Sequence, residues 1–267
     1  MGPRIIGGAM GEADAKSKTY AVVVAGGSGT RMGADTPKQY LMLARRPILA
    51  RTLEVFEKSA EIDAVIIVVP RGFVQKTRDE IVHRYNFPKV RYVVQGGRRR
   101  QNSVFNGLKA IRGACDVVAI HDGVRPLVTP DLIDKSVRVA RNFGAAIVAY
   151  PVTSTIKIIS HDGFVDSTPE RRYLMAAQTP QTFQYPVLMK AYEQAMATDF
   201  RATDDSQLVE RLGVKPIVVQ GSRENIKITT TADLELAECI FRTRKAEAKS
   251  NGSKKTKSKP APRTAKS

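Results

Sequence analysis

Two cations lie close to a glycine-rich loop near the start of the chain. The stretch AVVVAGGSGTRMGADTPKQYL, residues 21–41, begins as an apolar run and continues with four glycines, Arg31 and Lys38. Because glycine lets backbone N–H groups approach an anion closely, and Arg and Lys supply charge, this pattern predicts a phosphate site. The loop lacks the Gly-Lys-Ser/Thr of a Walker loop and the third glycine of a dinucleotide fingerprint. The predicted phosphate site is therefore of another kind.

A second candidate is the motif AIHDGVRP, residues 119–126, which ends another apolar run. An acid at such a position, here Asp122, can hold Mg²⁺ bound to phosphates. Arg125 follows three residues later and can meet another anion. The alternative for Asp122 is that it only caps the turn before Pro126. His121 has no second histidine at metal-ligand spacing, which favours a hydrogen-bonded structural role.

Further polar clusters repeat this chemistry along the chain. QGGRRRQNSV, residues 95–104, has a glycine turn with Gly97, then Ser103 and three arginines that could contact phosphates, at least one of which is expected to be only solvated. RENIKITT, residues 223–230, places Lys227 on a predicted short strand. PERRYLMAAQTPQTF, residues 169–183, contains Arg171 and Thr179. TDDSQLVERLG, residues 203–213, is typical of a helix capped by Thr203 or Asp204 and ended by Gly213, so Asp204 and Asp205 are expected to be structural.

Alternating strands and helices must position these residues. The apolar runs YAVVVA, AVIIVVP, VRYVVQ, DVVAIHD, AAIVAYP and KPIVVQ are apolar throughout, as strands buried on both faces are. Helical patterns separate most of them, one with Thr129 as its predicted cap. The sequence therefore predicts a doubly wound, mostly parallel α/β sheet of the Rossmann-like type, with its ligand at the carboxyl ends of the strands.

The pattern changes after Pro151. Residues 153–183 alternate polar and apolar side chains, with a turn signal at Asp162-Gly163. This is typical of an extended hairpin that leaves the sheet. We expect a protruding arm over about residues 152–170.

Composition limits the classes of protein that remain. The 267 residues carry a net charge of +17, and ten Lys or Arg with one acid lie between Arg242 and the C-terminus. We expect a disordered extension over residues 1–18, a folded domain over 19–242 and a disordered basic tail over 243–267, which could bind polyanions weakly. The chain has no membrane-length apolar run and no secretory signal, so we expect a cytoplasmic protein without a membrane partner.

The motifs in their order resemble those of a known family. AGGSGTRMGADTPKQYL, HDGVRP, PVTSTIK, QTPQTF, TDDSQLVE and NIKITTTADLELAE are similar to the motifs of 2-C-methyl-D-erythritol 4-phosphate cytidylyltransferases, within the wider nucleotidyltransferases. The resemblance covers about residues 20–242. It implies a homodimeric enzyme of non-mevalonate isoprenoid precursor biosynthesis that uses Mg²⁺ and transfers CMP from CTP to 2-C-methyl-D-erythritol 4-phosphate, giving 4-diphosphocytidyl-2-C-methyl-D-erythritol and pyrophosphate.

The resemblance also implies roles for individual residues. The implied catalytic residues are Arg31, Lys38, Arg171 and Lys227. The implied CTP-binding residues are Ala25, Gly26, Gly27, Ser28, Gly29, Thr30, Gly97, Ser103, Asp122 and Gly123. The implied residues for the polyol phosphate are Asp122, Arg125, Thr155, Arg171, Thr179 and Lys227, and Asp122 would also engage the metal. Arg171 and Thr155 would serve the active site of the second subunit.

Two alternatives remain at this point. Gly123-Val124 stands where the family often has two alanines, and Thr153-Ser154 where it often has Arg-Asp. The HDGVRP form also occurs in cytidylyltransferases for ribitol 5-phosphate, which makes that polyol the first alternative substrate. The basic tail raises a non-enzymatic nucleic-acid-binding protein as the second. Aromatic residues make up only 6% of the chain and the tail has none, which argues against a stacking surface for specific nucleic-acid binding.

Overall fold

The computed structural model describes residues 18–27 and 37–256, with side chains through Glu247. Within these residues the strands are β1 (Lys18–Val24), β2 (Met42–Leu43), β3 (Arg46–Pro47), β4 (Ala64–Val69), β5 (Val90–Gln95), β6 (Cys115–Asp122), β7 (Ala145–Pro151), β8 (Ile158–Ile159), β9 (Val165–Ser167), β10 (Met175–Gln184) and β11 (Ile217–Gln220). The α-helices are α1 (Ile48–Lys58), α2 (Val74–Thr77), α3 (Arg100–Lys109), α4 (Pro130–Phe143), α5 (Tyr185–Ala197), α6 (Asp205–Glu210) and α7 (Thr231–Thr256). The predicted extension over residues 1–18 lies outside the described residues except for Lys18, which begins β1.

A seven-stranded sheet in the order β11-β7-β10-β6-β1-β4-β5 forms the centre of the molecule. Neighbouring strands are parallel, except that β10 runs antiparallel to both β6 and β7. Helices cover both faces, which explains why the strand sequences are apolar throughout. Within β1, for example, Ala21 and Val23 pack into the core beneath α1 and α4, while Tyr20 and Val22 pack into the core beneath α3 and α5. The predicted doubly wound, mostly parallel fold is confirmed.

The helix caps follow the chemistry of their sequences. Thr129 caps α4, and its hydroxyl oxygen accepts a hydrogen bond from the Leu132 N–H at 3.3 Å. Asp204 caps α6 in the same way, accepting from the Gln207 N–H at 3.0 Å. Both predicted caps are present, so the carboxylate of Asp204 has the structural role expected of it.

The predicted hairpin arm is present as a separate two-stranded antiparallel sheet of β8 and β9. Gly163 has φ of 86°, a left-handed conformation that glycine adopts without a Cβ clash, and it lies in the predicted turn. Large apolar side chains on the arm face solvent, including Ile159, which is 62% exposed, and Phe164, which is 74% exposed. Within one chain, the arm buries little of its own apolar surface.

The prediction that the alternating residues beyond the arm belong to the same hairpin is wrong. The segment that follows the hairpin, expected to continue it, is instead β10 in the middle of the central sheet. Proline inside a central strand normally argues against one, because it removes a ladder donor. Here the pairing of β10 with β7 shifts register between Ala177 and Gln181, so Pro180 lies at an irregularity where no ladder bond is lost.

The predicted disordered tail is wrong over residues 243–256, because α7 continues through that boundary to Thr256. Residues 242–249, RTRKAEAK, are mostly strong helix formers, and an established helix extends at little cost through such residues. The tail has no apolar anchor of its own, but the helix that carries it is anchored upstream, where Ala237 is buried. Residues 257–267 lie outside the described part. Among the described residues, no helix combines the length and apolar character needed to cross a membrane.

Candidate functional site

A cavity of about 430 Å³ opens at the carboxyl ends of β1, β5 and β6. This is the edge of an open α/β sheet where ligands bind. Most of its wall consists of two glycine turns and several cations. The lining residues are Val24, Ala25, Gly26, Gly27, Lys38, Gln39, Gly97, Arg98, Arg99, Arg100, Ser103, Asp122, Val124 and Lys227. Five of these side chains carry a positive charge and one, Asp122, carries a negative charge, so the cavity suits a polyanion.

The first glycine turn continues directly from β1. The Ala25 N–H donates to the Val68 carbonyl at 2.7 Å, which holds the turn against β4. Gly26 and Gly27 then line the cavity, and Lys38 enters it from a single 3₁₀ turn, Lys38–Tyr40. The intervening predicted residues Ser28, Gly29, Thr30 and Arg31 lie outside the described part of the chain.

The second glycine turn joins β5 to α3. The Gly97 N–H donates to the Ser103 hydroxyl oxygen at 3.1 Å, and that hydroxyl donates to the Arg99 carbonyl at 3.1 Å. A Cβ atom on Gly97 would lie 2.4 Å from the Asn102 Cβ, and one on Gly96 would lie 2.8 Å from the Ser103 Oγ. Since side chains at either position would clash, the tight approach of the turn to α3 requires glycine.

Asp122 is the buried acid at the floor of the cavity, and three cations surround it. Arg100 Nε lies 3.1 Å from its Oδ1, and Lys227 Nζ lies 2.9 Å from its Oδ2. Arg125 Nε lies 3.5 Å from the same Oδ2. Burial raises the pKa of Asp122, but the three cations lower that pKa more, so it lies well below its usual range. Asp122 is therefore a fixed negative charge rather than a proton donor.

Arg100 connects Asp122 to a second buried acid. Its Nη1 lies 2.9 Å from Oδ2 of Asp205, whose other oxygen accepts a hydrogen bond from the Tyr192 hydroxyl. Burial lowers the pKa of Arg100, but the two carboxylates raise it further, so the guanidinium remains charged. Arg100 is thus held between two acids. Of the three arginines predicted to contact phosphates, this one has the least freedom to do so.

His121 and Thr179 support Asp122 from within the sheet. The Thr179 hydroxyl oxygen accepts from the Asp122 N–H at 3.1 Å and lies 3.0 Å from His121 Nδ1. His121 Nε2 lies 3.2 Å from the Arg125 carbonyl, which can only accept, so Nε2 carries the proton and Nδ1 accepts from Thr179. Burial lowers the pKa of His121 to about 4, which keeps the ring neutral. The structural role predicted for His121 is confirmed.

Lys227 lies on an irregular segment, not on the predicted strand. The Ile228 N–H donates to the Val124 carbonyl at 2.9 Å, and the Asn225 side-chain amide donates to the Thr179 carbonyl at 2.9 Å. These bonds hold the segment across the end of β6 and direct Lys227 to the carboxylate of Asp122. The Arg125 guanidinium donates to the Asn225 carbonyl at 2.8 Å and strengthens the same junction.

Comparison with known proteins identifies the family. The family model described as 2-C-methyl-D-erythritol 4-phosphate cytidylyltransferase matches residues 19–243. The chain belongs to this family. It is 47% identical over 229 residues to the 2-C-methyl-D-erythritol 4-phosphate cytidylyltransferase of Alkaliphilus oremlandii, a match that covers 86% of this chain and 97% of that protein. The 2-C-methyl-D-erythritol 4-phosphate cytidylyltransferase of Geobacter metallireducens is also 47% identical, over 84% of this chain and 97% of its own length.

Solved structures agree with this membership of the cytidylyltransferase family. The crystal structure of 4-diphosphocytidyl-2C-methyl-D-erythritol synthase from Anaerococcus prevotii has a TM-score of 0.76 and 36% sequence identity, covering 85% of this chain and 96% of that one. The cytidylyltransferase from Francisella tularensis has a TM-score of 0.70 and 32% identity, covering 83% and 98%.

The predicted cytidylyltransferase residues divide into three groups. The cavity brings together Ala25, Gly26, Gly27, Lys38, Gly97, Ser103, Asp122 and Lys227. Gly123, Arg125 and Thr179 lie behind this wall; a Cβ on Gly123 would lie 3.0 Å from the Ala25 Cβ, and the Thr179 hydroxyl is occupied inside the sheet. Thr155 and Arg171 are exposed on the arm and do not line the cavity.

Two features of the site were not predicted from the sequence. One is Gln39, which lines the cavity, and the other is the position of Arg100 between Asp122 and Asp205. Nothing in the run of three arginines distinguishes Arg100, since its second partner, Asp205, lies 105 positions further along the chain. Gln39 could have been predicted from the sequence, because a glutamine directly after Lys38 lies in the same turn.

Proposed function

We propose that the chain transfers CMP from CTP to 2-C-methyl-D-erythritol 4-phosphate in isoprenoid precursor biosynthesis. The product is 4-diphosphocytidyl-2-C-methyl-D-erythritol, and pyrophosphate is released. The observation that carries this proposal is family membership over residues 19–243, together with a cavity of five cations and one acid between two glycine turns.

The chemistry that these residues support needs no catalytic base. A phosphate monoester is largely dianionic at pH 7, so one of its oxygens can attack the α-phosphorus of CTP directly. That P–O bond forms while the bond from the α-phosphorus to the bridging oxygen breaks, and pyrophosphate leaves with the bonding electrons. The barrier arises from negative charge that crowds around the α-phosphorus. Cations close to the transferred group stabilise this charge as it develops, and we assign this role to Lys38 and, from the sequence, to Arg31.

Lys227 is proposed to hold the phosphate of the polyol substrate. Its ammonium group lies at the cavity wall and is directed by Asp122, at 2.9 Å. Because the side chain is 38% exposed, it can contact a substrate phosphate without leaving the carboxylate. The Arg125 guanidinium instead donates from Nη1 to the Asn225 carbonyl and pairs with Asp122 through Nε at 3.5 Å, so we assign Arg125 a supporting role at this site.

The donor set also fits a magnesium ion at Asp122. Mg²⁺ is commonly held in nucleotide enzymes by one or two carboxylates and by the substrate phosphates. Asp122 supplies one ionised carboxylate at the cavity, and the described residues contain no cluster of three or more metal-ligating side chains that would form a protein cage. When bound, the ion would offset charge on the triphosphate.

The arm supports a proposed homodimer. A two-stranded hairpin alone is marginal in water, and this arm exposes Ile158, Ile159, Phe164 and Val165. A second copy would cover these side chains. It would also bring Arg171 and Thr155, which do not line their own chain's cavity, to the active site of the partner.

We also propose a cytoplasmic location. Cys115 and Cys239 are free thiols, which a reducing compartment maintains, and CTP is an intracellular metabolite. The basic residues after Arg242 would give weak binding to polyanions without sequence preference.

The function is tested by measuring pyrophosphate release from CTP with each polyol phosphate. We expect turnover with 2-C-methyl-D-erythritol 4-phosphate and far slower turnover with ribitol 5-phosphate. A preference for ribitol 5-phosphate would overturn the proposed substrate, and no release with either would overturn the reaction. Lys227→Gln should abolish most of the activity. Lys215→Gln, at an exposed position outside the cavity lining, is the matched control and should retain it.

A further inference from the structure

Gln39 is a buried amide beside Lys38, at the wall of the cavity. It is only 1% exposed, and its Nε2 donates to the Ala25 carbonyl at 2.6 Å. Ala25 precedes the segment 28–36, and Gln39 follows it. The hydrogen bond therefore joins the two ends of the glycine-rich segment through one side chain.

The Ala25 carbonyl, which accepts this bond, lies in a turn that further hydrogen bonds hold in place. The Ala25 N–H donates to the Val68 carbonyl at 2.7 Å, and the Gly123 N–H donates to the Val24 carbonyl at 2.8 Å. On the other side of the turn, the Tyr40 hydroxyl lies 2.7 Å from Thr77 Oγ1 in a buried hydrogen bond. Gln39 thus ties the 3₁₀ turn that carries Lys38 to the end of the central strand β1.

The side-chain oxygen of Gln39 bears on why an amide occupies this position. Gln39 Oε1 is buried, and none of the residues that the structure describes gives it a hydrogen-bond partner. A buried carbonyl left unpaired destabilises a folded protein. Methionine has about the same length and would fill this position without an unpaired carbonyl. Stability alone therefore does not explain why an amide occupies this position. The hydrogen bond that its N–H group donates to the Ala25 carbonyl does explain it.

We propose that Gln39 is a positioning residue that sets the place of Lys38 relative to the glycine turn. This inference rests on the proposed function only in that Lys38 stabilises the transferring phosphoryl group. Small displacements of a charge-stabilising group raise the barrier of a reaction more than they weaken substrate binding. The loss of the Gln39 bond should therefore lower kcat and leave KM for CTP nearly unchanged.

A double-mutant cycle with Gln39→Met and Lys38→Ala tests the proposal in the full-length chain. We expect Gln39→Met to lower kcat about 10-fold, with KM for CTP changed by less than about 3-fold. In the Lys38→Ala background the same substitution should lower kcat by less than about 2-fold, because there is no ammonium group left to misplace. The melting temperature should stay close to that of the parent chain, since the substitution also removes the unpaired carbonyl.

Two results would overturn the inference. Unchanged kcat in Gln39→Met would show that the bond does not matter, and equal losses in both backgrounds would show a structural role independent of Lys38. If Gln39→Met does not fold, Gln39→Leu takes its place in the cycle, because leucine is also apolar and cannot donate to Ala25. The proposed function fails by a different result, namely that the unaltered chain releases no pyrophosphate from CTP with the polyol phosphate.

Discussion

The cavity and the arm carry predicted functional residues in opposite ways. Asp122 in the cavity is 5% exposed and has three cationic partners from its own chain. Arg171 on the arm is exposed, and its guanidinium donates to one carbonyl, that of Thr153, at 2.7 Å. A buried group held by several partners from its own chain has its geometry set by folding alone. A group such as Arg171 needs a further surface before its position is fixed.

This contrast explains why one chain supplies most, but not all, of the proposed site. The cavity residues are fixed by strands that run through the core of the sheet. The arm residues Thr155 and Arg171 flank a small sheet of five residues in two strands, β8 and β9. We therefore expect substitutions in the cavity to act within each subunit and substitutions in the arm to act across the proposed dimer.

The largest effect is expected from Lys38 in the cavity and from Arg31, the second cation predicted from the glycine-rich segment. Lys38→Ala and Arg31→Ala should each lower turnover by about 10²–10³-fold, the usual loss when one transition-state donor is removed. Folding should be little disturbed. Steady-state pyrophosphate release and thermal unfolding check both parts, with Lys215→Ala as the control. Near-normal turnover in either purified variant would contradict its assignment.

The arm is tested by mixing two inactive variants. Lys38→Ala disables a chain's own cavity, and Arg171→Ala disables the residue proposed to enter the partner's cavity. A mixed dimer would contain one site with both defects and one with neither. With equal amounts and free exchange, half of the dimers are mixed, so activity should return to about a quarter of the unaltered value.

Subunit exchange must be confirmed in the same sample, for example by native mass spectrometry of differently tagged chains. Confirmed exchange without recovery would mean that each chain builds its site alone. The contrast between cavity and arm would then be one of burial only.

The pH dependence of stability sharpens the comparison further. Burial lowers the pKa of His121 in the folded chain to about 4, below its value near 6.5 in the unfolded chain. Between these values the unfolded chain binds a proton that the folded chain does not. The free energy of unfolding should therefore be unaffected by His121 above about pH 6.5 and fall by up to about 3 kcal/mol as the pH approaches 4.

Urea unfolding across this pH range measures the effect. His121→Gln should remove most of the slope between about pH 4.5 and about pH 6.5. His161→Gln, on the exposed arm, should keep the slope of the unaltered chain. An unchanged slope in His121→Gln would show that other groups cause the dependence.

The smallest effect is expected at the rim of the cavity. Arg98 lines the mouth, is exposed, and forms no ion pair with any side chain that the structure describes. Its charge attracts an approaching nucleotide without fixing it. Arg98→Gln should lower kcat/KM for CTP by about 3-fold at low salt, and the difference should vanish at high ionic strength. Arg138→Gln, remote from the cavity, is the matched control, and a salt-independent loss at Arg98 would indicate direct contact instead.

The parts that could be predicted from sequence are local. Apolar runs identify six strands of the central sheet. Four of them, β1, β4, β6 and β7, are apolar because both of their faces are buried, whereas the edge strands β5 and β11 are largely exposed. The glycine turns and Asp122 follow from the position of their residues just after such runs. The hairpin and its turn at Gly163 follow from alternation and from glycine's freedom at positive φ.

The parts that could not be predicted depend on residues far apart in the chain. The place of β10 between β6 and β7 is set by tertiary pairing, which overrides the presence of Pro180. The buried position of the Thr179 hydroxyl follows from that pairing. Likewise, the partners of Arg100 are acids 22 and 105 positions away, and no local pattern distinguishes it from Arg98 and Arg99.

The antiparallel strand β10 of the central sheet has a consequence for folding during synthesis on the ribosome. The strands β1, β4, β5 and β6 are complete once Asp122 has been made, and they can pair with one another at once. β7 is synthesised next, yet it meets the sheet only through β10, which ends at Gln184. Until then β6 presents an open edge, a surface that invites pairing with other nascent chains. The part of the sheet that is made first therefore keeps one edge exposed until the arm and then β10 have been synthesised.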